Sequence, residues 1–478
     1  MSAKLQRLLK VTLSIVTILA PSYLLAEKLS PIQIYQRCYT LMVQEPLPII
    51  DPILEKLNDK VLSGPEACST LLKMAIVDDK KIEFQKNQTT SLKLLKTFQR
   101  FHGNWFSRFN FNEGTPDYSN SNLFDANEMG YHLTWILFQK KERYSNLFTE
   151  RRSYRAIRVS KKKNRFANDL DIGGKRHPID ESTVRKWKVG GIVEGVSNYG
   201  SEYFMRPKLV SYGQLRGIIP MQRNEIKFKR LEYKKKTSTI NLYDPLFKGV
   251  MGTVPYMLLN GGQINKRVDG ARIVHRRWAT SFFKELLCRE LPVVRPEDSI
   301  SSLNKKSKIA FRRKKQCWAC HVSSDPLANL TRGFELFNAG DVDHLNFTFK
   351  AVDRHNKSFG KSFYKRKPIG KFYFRTYDGK LIDKKLAGPN HLGPLISRLE
   401  DPYVCAAKRY FKFFTGIDVH IYDFEHSLTP AAEQGNIKYR NYVVSLGKQL
   451  RGHQSLFKMI ETIFHSKYYG SRSFGVSP

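Results

Sequence analysis

Three features of the sequence predict a mainly α, multidomain fold with small β insertions. The chain has 478 residues, more than one compact core comfortably takes up. Apolar side chains recur at three- and four-residue spacing toward both ends. Strand-like alternation is confined to short stretches in the middle. An apolar fraction of 41% with 12% aromatic residues argues against a disordered majority and predicts an aromatic-rich interior.

Taken in order, residues 1–26 read as an export signal. Lys4, Arg7 and Lys10 precede the apolar run from Val11 to Ala20, and Ala26 offers a small residue for cleavage. The run is shorter than the roughly 20 residues of a spanning helix, which leaves an uncleaved anchor as the alternative. No later stretch is apolar for long enough to span a bilayer. The periplasm or cell surface is the expected location, with no transmembrane span after signal cleavage.

Residues 27–160 form the first helical region. Ile34–Met42 and Pro65–Ala75 have helical character, and Ser63-Gly-Pro-Glu66 is a helix start: Ser63 caps, Pro65 suits the first turn, and Glu66 faces the positive end of the dipole. Leu92, Leu94, Leu95 and Phe98 continue the pattern. An aromatic block from Phe101 to Phe111 and a turn-rich linker to Asp125 lead to a further helix over Glu128–Lys141. Residues 161–244 are basic and glycine-bearing, with alternation over Phe204–Tyr212, and read as irregular structure with some strands. In 245–340, a turn-rich stretch from Gly249 to Gly262 precedes a strong helix over Ala271–Arg289, broken by Pro292, Pro296 and the serine-rich 299–307. Residues 341–400 look like a hairpin insertion: Phe347–Val352, then Lys371–Tyr377, the turn at Asp378-Gly379, and Lys380 to Ile382. Residues 401–478 return to helix over Pro402–Phe414 and Ile437–His465.

The charge balance is extreme: 81 Lys and Arg against 43 Asp and Glu, a formal +38. Runs at Arg151-Arg152, Lys161–Lys163, Lys234–Lys236 and Arg312–Lys315 are solvated faces in the ordinary reading. In the sharper reading they dock an acidic redox partner or an anionic envelope surface. Nucleic acid is the weakest partner class, because the sequence holds no recognised nucleic-acid module.

Of the six cysteines, Cys38, Cys68, Cys288 and Cys405 are disulfide candidates in an oxidising compartment. Cys38 with Cys68 is the simplest pair, joining two short helical segments. Cys288 and Cys405 are then either a long-range pair or two buried thiols. The other two belong to Cys317-Trp-Ala-Cys-His321. On a helix, Cys317, Cys320 and His321 share one face, the convergence that covalent haem attachment needs: two thiols for the porphyrin vinyl groups and an imidazole for the iron. Chance produces this pattern on the order of once in several hundred such chains. A structural zinc site needs two further ligands at suitable spacing, and the sequence has no second Cys-x-x-Cys. A redox dithiol is the remaining alternative, though no βαβ pattern surrounds it. One haem c is thus the expected cofactor, with His321 as the axial ligand. Met251, Met257, His344, His391 and Met459 are sixth-ligand candidates; each has an ordinary structural role as its alternative.

Beyond the motif, Asp325-Pro-Leu327 and Gly333-Phe-Glu-Leu-Phe337 follow at short spacing, and Arg276-Arg-Trp278 opens a helix running to Pro292. Tyr377-Asp-Gly-Lys380, Ala387-Gly-Pro389 and the segment from Pro402 to Gly416 come later. In this order, from about 245 to 425, the chain resembles the planctomycete-type multidomain cytochrome c proteins of unknown function. Asn127–Leu137 with Tyr154–Ile157 resembles an upstream helical part. The resemblance implies a haem-bearing, exported, largely helical protein. Ser324 stands where many relatives have Met, and the stretch 341–376 departs from the compact family spacing. The function these readings give is an exported monohaem c-type cytochrome, serving electron transfer or a haem-dependent oxidoreductase reaction. The alternative is a non-catalytic basic protein of the cell envelope in which haem or disulfides act as structural staples.

Overall fold

The computed structural model describes residues 28–106, 127–158, 169–172, 175–178, 215–222, 229–233, 236–242, 247–253, 256–257, 270–339, 346–351, 366–421 and 430–471. The signal segment, Phe204–Tyr212, Lys161–Lys163 and His344 lie outside them. Helices dominate the described residues and the sheets are small, as the periodicity predicts.

The first helices start where capping chemistry dictates. α1 (Pro31–Val43) and α3 (Gly64–Lys73) both open with a capping box, Ser30 with Gln33 and Ser63 with Glu66. Between them, α2 (Pro52–Asn58) starts at Asp51, whose carboxylate accepts the Ile53 N–H at 2.8 Å and the Tyr35 hydroxyl at 3.1 Å. The Cys38–Cys68 disulfide joins α1 to α3. Gly64 lets them approach: a Cβ there would lie 2.8 Å from the Ile34 Cβ. β1 (Ile82–Glu83) follows, then α4 (Thr89–Gly103) and α5 (Glu128–Phe138), a helix buried on every side. α6 (Asn146–Thr149) leads into β2 (Arg152–Arg158).

The basic middle region supplies β3 (Asp169–Ile172) and β4 (Lys175–Pro178), paired antiparallel, and β5 (Leu215–Gln222), which lies between β1 and β2. β6 (Lys229–Tyr233) and β7 (Lys236–Leu242) form one side of a four-stranded sheet. After them come α7 (Gly270–Leu287), α8 (Pro296–Ile300) and α9 (Lys315–Ala328). β8 (Phe334–Ala339) and β9 (Asn346–Ala351) complete that sheet in the order β6-β7-β9-β8, with β7 and β9 parallel.

β10 (Gly370–Arg375) and β11 (Leu381–Leu386) form the expected hairpin, closed around Asp378 and Gly379, where Gly379 has φ 82°. The structure therefore separates two segments read together in the sequence: Phe347–Ala351 pairs with β7 and β8, not with the hairpin. α10 (Leu392–Ile396), α11 (Asp401–Thr415), α12 (Pro430–His453) and α13 (Leu456–Phe464) finish the chain. The helix predicted from Ile437 to His465 is in fact two helices. Gln454 turns left-handed at φ 62° and Ser455 caps the second by accepting the Lys458 N–H.

One buried cluster runs from Ile34 to Tyr469 and joins α1, α4, α5, α7, α11 and α13. Phe98 packs on Phe138 and on Phe414, and Phe414 packs on Phe464, so N-terminal and C-terminal helices share one aromatic interior. Within it His102 bridges Thr134 (2.8 Å) and Tyr410 (2.6 Å). Burial holds His102 neutral, its pKa lowered to about 3.

Candidate functional site

α9 carries the Cys-x-x-Cys-His motif and is wedged between α7, α8 and β10. Its anchoring side is apolar: Leu327 and Ala328 enter the main core, while Val322 packs with Val294 and Tyr373, and Trp318 lies against that cluster. Trp318 Nε1 donates to Ser302 Oγ at 2.9 Å. The helical period places Cys317, Cys320 and His321 together on one face of the first two turns, which Leu327 and Ala328 continue into the core at the far end of the helix, while Trp318 and Val322 lie to one side of it. The three motif residues are partly exposed.

Both motif thiols are free, while the other four cysteines are paired. Cys288–Cys405 is a disulfide linking the end of α7 to α11 across 117 residues, which decides between the two readings of that pair. Burial, and then the neighbouring Cys317, raise the Cys320 thiol.

His321 is held on two sides. Its ring stacks on Phe311, with centroids 4.3 Å apart. Its Nδ1 lies 3.0 Å from Asp325 Oδ1, one helical turn on. Asp325 is itself gripped from α7: Arg276 Nε and Nη2 donate to its two oxygens at 2.7 and 3.1 Å, and the Arg276 guanidinium lies over the Phe311 ring, 5.0 Å from its centroid. Burial alone would raise the Asp325 carboxyl, but the hydrogen bonds from His321 and Arg276 outweigh it and hold the group below the usual carboxylate range. An ionised carboxylate can only accept, so the proton between them belongs to Nδ1. Nε2 is left as the ring's donor atom toward a metal.

Ser324 is buried, its hydroxyl donating to the Cys320 carbonyl at 3.0 Å, a bond within the helix that also holds the Cys320 turn. Met251, Met257 and Met459 are buried in the main core. The Met251 carbonyl accepts from Trp278 Nε1 at 3.3 Å. Trp278 is two residues from Arg276, about 200° around α7, so Met251 sits on the side of α7 away from Asp325. His391 is exposed just before α10.

Among the described residues no three His, Cys, Asp or Glu side chains are grouped as a bare metal-ion site. The motif thus gives two thiols and one imidazole on a helix face, not a closed coordination shell.

Nothing among protein-family models, curated proteins or solved structures matches the chain. The likeness to planctomycete-type cytochromes therefore rests on the residues quoted for it.

Nothing in the sequence alone marks Arg276 or Phe311 as site residues, and Asp325 stands out there only as part of Asp-Pro-Leu. Their signal was available in part: an acidic residue four positions after His321 on a helix faces it. The α7 partner is a long-range contact that no local pattern announces.

Proposed function

We propose that the protein is an exported monohaem c-type cytochrome, similar to the planctomycete-type multidomain cytochromes, that serves electron transfer or a haem-dependent oxidoreductase reaction. The observation that carries this reading is the α9 face: two unpaired thiols one turn apart beside an imidazole whose Nδ1 is already occupied by Asp325. These residues fit one haem c, with Cys317 and Cys320 as the thioether positions and His321 Nε2 as the axial donor. When bound, such a group supplies one-electron exchange.

The chain's own contribution is orientation and charge. Phe311 fixes the plane of the His321 ring, Asp325 holds its Nδ1 proton, and Arg276 keeps Asp325 ionised and in place. Such a carboxylate–histidine pair fixes the tautomer and the ring orientation of a histidine ligand. Of the residues considered for a second ligand, Met251 is turned away from the Asp325 side of α7 and Met257 and Met459 are buried in the main core, while His391 is exposed and would have to approach from outside.

The test is expression in a host with haem-attachment machinery, followed by the pyridine haemochrome spectrum, with Cys317→Ala alongside. A covalent c-type band from the native chain, altered in the variant, is the expected result. Its absence from the native chain sinks the reading.

The +38 charge supports a docking role for the surface, toward an acidic redox partner or an anionic envelope component. If the attached haem undergoes no reversible reduction, the second reading takes over: a basic envelope-interaction protein stapled by haem and disulfides.

A further inference from the structure

A cleft of about 940 Å³ opens on the other side of α9. Lys315, Gln316 and Ala319 line it, while Cys317, Cys320 and His321 do not. Lys315 and Ala319 point away from the motif face and Gln316 borders it one turn before Cys320, so one helix serves both.

Its floor is apolar, formed by Leu291, Pro292, Val294, Pro296, Ile300 and Ile421. Its walls carry six Lys and Arg side chains against only two carboxylates, Glu290 and Asp418. Those carboxylates are shared out: Lys408 and Lys412 both reach Asp418, at 3.4 and 2.5 Å, and Lys284 reaches Glu290 at 2.9 Å. Two lysines on one carboxylate leave a positive excess on the α11 wall.

Arg409, on the same helix, places a further buried cation behind that wall. Its Nη2 donates to the Lys284 carbonyl at 3.2 Å and its guanidinium lies over Trp105, 4.7 Å from the ring centroid, yet its buried Nη1 makes no hydrogen bond. Burial lowers its pKa to about 10, while Tyr144, Glu285 and Tyr256 act in the other direction. An apolar floor beside a cationic wall, in a volume suited to a drug-sized molecule, selects a ligand that is apolar along its body and anionic at one end.

We propose that this cleft binds an amphipathic monocarboxylate, its apolar body on Leu291, Pro292, Val294 and Ile300 and its carboxylate at the wall of Lys408 and Lys412, where the two ammonium groups exceed the single Asp418 charge. The site stands whether or not α9 carries haem.

Calorimetric titration of the full chain with decanoate tests it, with decanol, acetate, decylammonium and decyl phosphate as comparison ligands. Saturable binding of one decanoate per chain is expected, at least tenfold tighter than decanol, acetate or decylammonium. Lys412→Glu and Ile300→Glu, both at exposed positions, should each weaken it at least tenfold while the thermal midpoint holds. No saturable decanoate binding, equal affinity for decanol, or unchanged affinity in both variants overturns the proposal. Tighter binding of decyl phosphate overturns the carboxylate assignment.

Discussion

Replacing Asp325 by Asn tests how α9 tunes His321 once haem is attached. The substitution keeps an oxygen near Nδ1 but removes the charge. Hydrogen bonds to charged groups contribute about 1.5–3 kcal/mol and are roughly twice as strong as neutral ones, so about 1 kcal/mol is lost at the 3.0 Å contact. That loss falls mainly on the oxidised, more positive state. At 59 mV per tenfold for one electron, it raises the reduction potential by about 40 mV. Arg276 supplies a control of opposite sign. Arg276→Gln strips the cation from Asp325, leaves the carboxylate's charge for His321 and moves the potential down, by less because Arg276 is partly solvent-screened. The Phe311 stack should keep the ring in place in both variants. Spectroelectrochemical titration of the three proteins reads the shifts. A fall in Asp325→Asn, or shifts of the same sign in both variants, refutes the reasoning.

Removing the Cys288–Cys405 disulfide, which closes 117 residues, should destabilise by about 5 kcal/mol in the chain-entropy account, and removing Cys38–Cys68, which closes 30, by about 3.6 kcal/mol. Guanidinium unfolding of the paired Cys→Ser variants checks the order, and a larger loss from the shorter loop contradicts it. Stability should also depend on pH through His102 and His275, both buried and lowered to about 3. Their folded pKa lies below the unfolded value, so their contribution is intact above about 6.5 and is lost as pH falls toward 3. Asp401 runs the other way: burial raises it to about 7 against the nearby Arg289 charge, so stability falls as pH climbs from about 4 through 7. Asp401→Asn should flatten that upper slope in urea unfolding across pH, and an unchanged slope refutes the assignment.

What could be read along the chain was whatever local chemistry decides. The Ser63 capping box, the helix of α11 and the Asp378-Gly379 hairpin each depend on residues within a few positions of one another. The helix expected over Ile437–His465 failed at Gln454, where a left-handed residue outside the usual glycine set interrupts a continuous apolar period. The partner of β9 is not legible locally because strand pairing is a long-range choice: its parallel neighbour β7 lies about a hundred residues upstream.

The same division runs through α9. The motif face is legible because Cys317, Cys320 and His321 are close in sequence, whereas the Asp325 contact to His321 emerges only in the structure. The groups that give those residues their properties come from distant segments: Arg276 on α7 for Asp325, and Lys408, Arg409 and Lys412 on α11 for the cleft behind. α7 and α11 are also the two helices that the Cys288–Cys405 disulfide ties together, and Cys288 itself lines the cleft. Anything that loosens that link acts on both surfaces of α9 at once, through the seating of Arg276 on one side and the cationic wall on the other. A disulfide at this point thus holds in register two sets of side chains that the local sequence has no means of aligning.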